Sequence, residues 1–427
     1  MKRSSSGVII VSIAVFTVLL WLLFRPENQP TGRYLGEIFG TTAIVLFTCS
    51  LVLATKLPLL EPLFGGLDRM FLWHRWTALA GVVLLLPHYL FVTSVRNSIL
   101  STLGNALGFV ALVGLVVLLV WAFVPRLPLV GRRIRANYQR WFTLHRFTGL
   151  FVIVGLIHGA LVDPVLRLSP ILLTWYLAVA TIGTVAYLVR ELLMPFLRPI
   201  WRHDYIVETV NRLNPLIVDV ILKPVGQPVP FVAGQFVFVR FGGIAAWEPH
   251  PFTIASAPQE QLLHLSFKAL GDHTRRLVET LQPGTDARVG LAFGKFDYLR
   301  GGQNQIWIAG GIGITPFRSW MRAFTPTESL NFDIDFYYTV RNESEAMFLD
   351  EIVTIAALYP NFRSHITYSE RDGSLTIEQI AASSGGALAQ KHVYLCGPTR
   401  MIGKFESQLR KLGVPQNHIH FEQFDFR

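Results

Sequence analysis

Six apolar stretches crowd the first 200 residues, at roughly 7–24, 37–55, 70–92, 105–124, 142–162 and 171–194. Each has the roughly 17–25 residues that a helix needs to cross the hydrocarbon of a bilayer. Apolar residues make up 51% of the 427 and charged residues 15%, against about 25% charged in an ordinary soluble domain. A wholly soluble globule and a disordered chain are both excluded. Lys2 and Arg3 precede the first stretch as in a signal peptide, but that run ends Trp21-Leu-Leu-Phe-Arg-Pro with no small-residue cleavage site, so a retained span is expected.

The net charge is 38 − 28 = +10, and its location explains it. Arg126, Arg132, Arg133, Arg135 and Arg140 follow the fourth stretch, Lys56 and Arg69 the second, and Arg190, Arg198 and Arg202 surround the end of the sixth. The intervening loops carry only Arg25, Arg33, Arg96 and Arg167. The positive-inside rule then puts both termini in the cytoplasm. The basic balance is topological, and no nucleic-acid partner is implied. Cys49 and Cys396, one in each half of the chain, form neither a disulfide framework nor a zinc site.

The first 200 residues hold four histidines: His74 and His88 on the third stretch, His145 and His158 on the fifth. Ionisable groups in a bilayer are costly and point to function, and neutral imidazole is a ligand of haem iron. His74 and His145 fall at the cytoplasmic end. His88 and His158 lie about 20 Å further out at 1.5 Å per residue. Two levels of two ligands predict two bis-histidine haems stacked across the membrane. A spacing of 14 keeps His74 and His88 on one helical face, whereas 13 rotates His158 away from His145. The fifth span must therefore be bent, tilted or locally rewound, and Gly149, Gly155 and Gly159 allow it. His74-Arg-Trp-Thr echoes His145-Arg-Phe-Thr. Arg75 and Arg146 are either propionate partners or ordinary flanking charges.

Beyond Arg202 the pattern changes to alternating strands and turns. His250-Pro-Phe-Thr-Ile-Ala-Ser256 places hydroxyls and an aromatic on a strand, which suits an isoalloxazine edge. Lys268-Ala-Leu-Gly271-Asp-His-Thr274 turns into a helix whose free N–H groups suit a pyrophosphate. Ile306-Trp-Ile-Ala-Gly310-Gly-Ile-Gly-Ile-Thr-Pro316 reads as strand, glycine loop and helix start, the geometry that admits a dinucleotide phosphate. Further strands end near Arg341, at Ser369-Glu-Arg371, and at Cys396-Gly397.

In this order the motifs resemble those of the ferric reductase and NADPH oxidase family of transmembrane flavocytochromes, over nearly the whole chain. The resemblance implies a multidomain membrane protein: a six-helix transmembrane haem domain at 1–197, an antiparallel β-barrel FAD domain at 198–302, and an α/β NAD(P)-binding domain at 303–427. The haem ligands would be His74, His145, His88 and His158. His250, Pro251, Phe252 and Thr253 would line FAD, with Lys268, Gly271 and Thr274 at its phosphates and Phe426 covering the flavin. Gly311, Gly313, Thr315 and Pro316 would bind NAD(P)H. Cys396, the candidate catalytic residue, and Gly397 would lie at the nicotinamide. Arg341, Ser369 and Arg371 would lie toward the adenosine, where two guanidinium groups predict a preference for NADPH over NADH. His273 departs from the tryptophan common in the oxidases, and Gly290-Leu-Ala-Phe-Gly294 lacks a proline often found there.

The implied activity passes electrons from cytoplasmic NADPH or NADH through FAD and two b-type haems to an extracytoplasmic acceptor, in the plasma or inner membrane. With Val92 four residues beyond His88 and no arginine from Ile38 to Thr55, ferric chelates are favoured over oxygen reduced to superoxide. A transporter or sensor with a nucleotide-binding domain is the rival class. Glu37, Asp68, Asp163 and Glu191 all sit near span ends, which disfavours a proton-coupled transporter.

Overall fold

The computed structural model describes residues 6–92, 99–123, 138–193, 203–243, 249–324, 330–385 and 388–422. Phe426 and the arginines at 96, 126, 132, 133, 135, 198 and 202 lie outside them. The chain forms two compact units, Ser4–Phe196 and Leu197–Arg427.

The first unit is helical: α1 Ser6–Leu23, α2 Thr31–Ala54, α3 Glu61–Phe64, α4 Leu67–Phe91, α5 Ile99–Phe123, α6 Tyr138–Arg146, α7 Thr148–Val162, α8 Pro164–Leu168 and α9 Pro170–Leu188. Among the described residues, five helical segments are long and apolar enough to span a membrane: Thr31–Ala54, Arg69–Phe91, Ile99–Ala122, Thr143–Val162 and Pro170–Leu193. The sixth expected span, Gly7–Leu23, is apolar but shorter. Helix α2 starts at Thr31, earlier than its apolar run, because Arg33 and Glu37 pair across one turn at 2.9 Å and carry the helix through their own polar residues. It is the central helix: 78% of its apolar window is buried, against 17–28% in the other four. The faces turned outward carry exposed Leu86, Leu90, Phe109, Val117, Ile182 and Val185, a surface suited to lipid rather than water.

The second unit holds two sheets. One is six-stranded and antiparallel in the order β4-β3-β6-β1-β2-β5, from β1 His203–Asn214, β2 Ile217–Pro224, β3 Phe236–Phe241, β4 His250–Thr253, β5 Leu263–Lys268 and β6 Asp286–Phe293. A single bridge between Ile254 and Leu265 joins its two edges. The helix α10, Asp272–Thr280, follows β5.

The other sheet is five-stranded and parallel: β7 Asn304–Gly310, β8 Asp333–Val340, β9 Phe362–Tyr368, β10 His392–Cys396 and β11 Ile419–Glu422, in the order β11-β10-β7-β8-β9. Its helices are α11 Thr315–Arg322, α12 Leu349–Leu358, α13 Ser369–Asp372, α14 Ile377–Ser383 and α15 Thr399–Lys411. The order reverses between β7 and β10, and such a switch point is where open α/β sheets bind their ligands. The core on one face is aromatic, with Trp307, Phe317, Trp320, Phe336 and Tyr394 fully buried.

Helix α11 couples the two sheets. Arg318, 4% exposed, donates to Asp219 on β2 at 2.9 Å and grips Glu351 on α12 at 2.7 and 3.0 Å. Its guanidinium also stacks over Phe348 at 3.7 Å. Removing one partner of a buried ion pair strands the other charge and costs about 3–5 kcal/mol. Arg318→Met should therefore bring the amides of β2 and β7 into faster hydrogen exchange, while Arg410→Met, whose partner Glu406 lies on an exposed helical turn, should not.

Candidate functional site

In the bundle, α4 packs on α2 and α7 on α5, and each facing histidine pair takes one ring from α4 and one from the α6–α7 segment. The His74 and His145 ring centres lie 6.0 Å apart at 89°, and those of His88 and His158 lie 6.3 Å apart at 78°. The expected distortion of the fifth span is a break: α6 stops at Arg146, Phe147 takes ψ −12°, and α7 starts at Thr148. The break lies two residues after the inner histidine, between it and His158.

Three of the four rings are tied down on Nδ1. His88 contacts the Gly36 carbonyl at 2.8 Å and His158 the Gly104 carbonyl at 2.8 Å. His74 meets the carbonyl of Ser50 at 2.9 Å and its hydroxyl at 2.8 Å. A carbonyl only accepts, so Nδ1 is the protonated nitrogen and Nε2 keeps its lone pair. Such outer partners orient metal-binding histidines. A metal ion between two imidazoles lies about 2 Å from each ligating nitrogen, with ring centres about 1.1 Å further, so facing rings sit about 6.2 Å apart. Both pairs match that spacing, and the residues present fit two bis-histidine groups.

Glycines make room for the outer pair, a feature the sequence reading missed. Gly40 sits one turn from Gly36, and an added Cβ there would lie 2.6 Å from His88 Nδ1. Gly108 stands in the same relation to Gly104, with His158 Nδ1 at 2.6 Å. Each half of the bundle thus presents a Gly-x-x-x-Gly turn to its outer histidine. The signal was legible as spacing, but small residues four apart are common wherever membrane helices pack closely. Arg146 is ion-paired to Glu191.

In the antiparallel sheet, β4 carries His250 and Pro251 half-buried, with Phe252 and Thr253 buried. Thr274 caps the start of α10: its hydroxyl accepts from the N–H of Leu270 and Gly271 at 3.0 and 3.1 Å. His250 and His273 stack face to face, ring centres 3.6 Å apart, which brings the two expected FAD segments into contact. Lys268, expected at the phosphates, pairs with Glu345 at 3.2 Å.

At the switch point, the loop after β7 packs on the loop after β10. A Cβ at Gly313 would lie 2.7 Å from the Cα of Gly397, and one at Gly310 would lie 3.0 Å from Pro398. Gly311 has φ +54° and open space around it, a left-handed residue that glycine adopts without strain. Thr315 donates to the Ile312 carbonyl at 2.6 Å and closes the turn into α11, with Pro316 in the first helical turn. Cys396 is 2% exposed, and burial and then the Glu422 carboxylate push its thiol well above the ordinary range. It is a neutral thiol, not a thiolate. At the far edge, the Glu370 N–H donates to the Arg341 carbonyl at 3.0 Å, which brings Arg341, Ser369 and Arg371 together. Arg371 is already engaged by Asp372 at 2.7 Å and Glu343 at 3.6 Å.

Comparison with known proteins divides the chain in the same order. Residues 39–156 match the ferric reductase like transmembrane component family, 205–305 an FAD-binding domain family, and 307–406 the oxidoreductase NAD-binding domain family. Dual oxidase 2 of Rattus norvegicus is 26% identical over 96% of this chain and 28% of its own length. The carnitine monooxygenase reductase subunit of Escherichia coli is 26% identical over 50% of this chain and 67% of its own. The chain thus spans between 28% and 67% of these two relatives. A flavohaemoglobin structure from Malassezia yamatoensis aligns with 91% of this chain and 96% of its own at TM-score 0.51 and 16% identity, a likeness of fold alone.

The glycine turns make a direct prediction. Gly40→Ala and Gly108→Ala should each push an outer histidine off its partner and halve the haem content of the purified protein, measured by pyridine haemochrome. Gly32→Ala, whose Cβ meets nothing within 4 Å, should leave it unchanged.

Proposed function

This chain belongs to the ferric reductase and NADPH oxidase family, and from that premise we propose that it moves electrons from cytoplasmic NAD(P)H through FAD and two b-type haems to an acceptor across the membrane. It is an integral membrane oxidoreductase that uses NAD(P)H. The observation that carries the haem reading is the two facing histidine pairs, with three Nδ1 atoms held by carbonyls and both spacings fit for one iron. When bound, FAD would divide a two-electron hydride into single electrons and haem iron would carry them one at a time.

The chain's own residues bind and orient. His74 and His145 would hold the inner group, and His88 and His158 the outer. Phe252 and Thr253 would lie along the flavin, and Gly311 and Gly313 would let the dinucleotide approach backbone. The neutral Cys396 thiol, buried beneath the switch point, would pack at the nicotinamide without competing as a nucleophile. Arg341 and Arg371 would meet the 2′-phosphate of NADPH, Arg371 by exchanging its carboxylate partners for it.

A ferric chelate is the favoured acceptor. The cation at the outer end of α2, Arg33, is neutralised by Glu37 at 2.9 Å, and α4 ends beyond His88 in apolar Phe91 and Val92. Neither would hold superoxide. Oxygen is the second reading, supported by the dual oxidase match over 96% of this chain. NADPH-driven chelate reduction and superoxide release, measured in the same membranes, separate the two: superoxide at full stoichiometry with no chelate reduced would reverse the choice.

The order of the pairs is tested by substitution. His88→Leu should leave FAD and one haem reducible by NADPH, seen as partial Soret reduction without oxygen, while delivery across the membrane collapses. His74→Leu should allow flavin reduction but leave the remaining haem oxidised. Full transmembrane activity in His88→Leu would refute the relay. For the nucleotide, kcat/KM should be higher with NADPH than with NADH, and Arg341→Leu should shrink that ratio; a ratio at or below one in the native chain would sink the preference.

A further inference from the structure

The stacked pair His250–His273 brings the two segments read above as FAD-binding into contact. His250 opens β4 and His273 lies in the first turn of α10, yet their rings meet at 3.6 Å and 15° between planes. The Nε2 of His273 is buried and makes no hydrogen bond with any described residue. A buried ring nitrogen without a partner costs stability unless something binds it. Resting on the FAD reading, we propose that His273, stacked on His250, is a proton-loaded clamp for the FAD pyrophosphate: binding the cofactor protonates His273, and its Nε2 donates to a phosphate oxygen.

The charges around the pair support this direction. His250 faces His273 from β4, and Arg276 faces it from its own helix. Asp272 and Arg275 on the same turn are exposed, and Lys268 at the end of β5 is held by Glu345. Burial, then His250 and Arg276, lower His273 to about 4, and burial lowers His250. Without the cofactor both rings are therefore neutral near pH 7. A diphosphate ester keeps two negative charges throughout the accessible range, and an opposite charge at hydrogen-bond distance raises an imidazole pKa. The sign follows. A group whose pKa is raised on binding takes up a proton, so affinity is greatest at low pH and is lost as pH rises toward the pKa of the bound state. The stacked His250 ring stays neutral, because a second positive charge 3.6 Å away would oppose the first.

The test is FAD binding to the flavin-depleted full-length protein in nanodiscs, followed by flavin fluorescence between pH 5.5 and 8.5. The native chain should show a Kd that rises with pH by up to about tenfold per unit, the slope for one proton taken up. His273→Phe keeps the stack but carries no proton, and it should bind with a flat pH profile. His273→Gln keeps a donor without a titration and should also be flat, but tighter than His273→Phe at high pH. Riboflavin, which lacks the phosphates, should bind the native chain without the slope. A flat native profile, or a slope that survives in both variants or with riboflavin, would overturn the clamp while leaving the FAD site standing. No FAD binding at any pH would overturn the site and the clamp together.

Discussion

A protonated ring nitrogen inside a bilayer has no water to bind, and the helical half of this protein is organised around that constraint. His88 and His158 meet it by reaching across to the carbonyls of Gly36 and Gly104 on the neighbouring helix. Such a bond requires two helices to run unusually close, and the close approach requires a residue without a side chain at the contact. That is why Gly40 and Gly108 stand one turn further on, directly against the imidazoles they accommodate. Backbone satisfaction, tautomer and metal-ready orientation follow from one contact. His74 solves the same problem with Ser50, whose carbonyl and hydroxyl both reach Nδ1, so no glycine contact is needed there.

The two halves of the bundle use the same solution at nearly constant separation. The glycines are displaced by 104 − 36 = 68 and 108 − 40 = 68 residues, the outer histidines by 158 − 88 = 70 and the inner by 145 − 74 = 71. The inner and outer offsets differ by one residue, which in an unbroken helix would turn one ring by about 100°. The break at Phe147 removes that conflict. The local interruption at Phe147 stands where the second half has to be fitted to the first.

Hydropathy revealed the spans because burial in lipid is a property of long runs, and the histidine levels because a titratable group in such a run is conspicuous. The rest depended on contacts between distant residues. Nothing near Lys268 in the chain indicates that it pairs with Glu345. The pairing of Arg371 with the adjacent Asp372 and the more distant Glu343 is likewise a contact of the fold. The stack of His250 on His273 joins two motifs 273 − 250 = 23 residues apart, and only the fold of β4 against α10 creates it.

Helix α11 explains how a flavin strand and a nicotinamide loop keep a fixed relation. Its first turn closes the glycine loop at Thr315 and Pro316, and that loop packs on Gly397 across the switch point. Its next residues face the other sheet. Ser319 donates to the carbonyl of Ser256 at 2.7 Å, and Trp320 donates to that of Ala233 at 3.1 Å. Ser256 ends the segment that begins with His250, so one hydrogen bond links the continuation of the flavin strand to the helix that carries the dinucleotide loop. Arg318 lies between them, fully paired to Asp219 and Glu351. Hydride transfer tolerates little misplacement, since a shift of about 1 Å can cost about a hundredfold in rate. A short helix with its glycine-loop end and its anchoring end less than three turns apart leaves little room for such a shift.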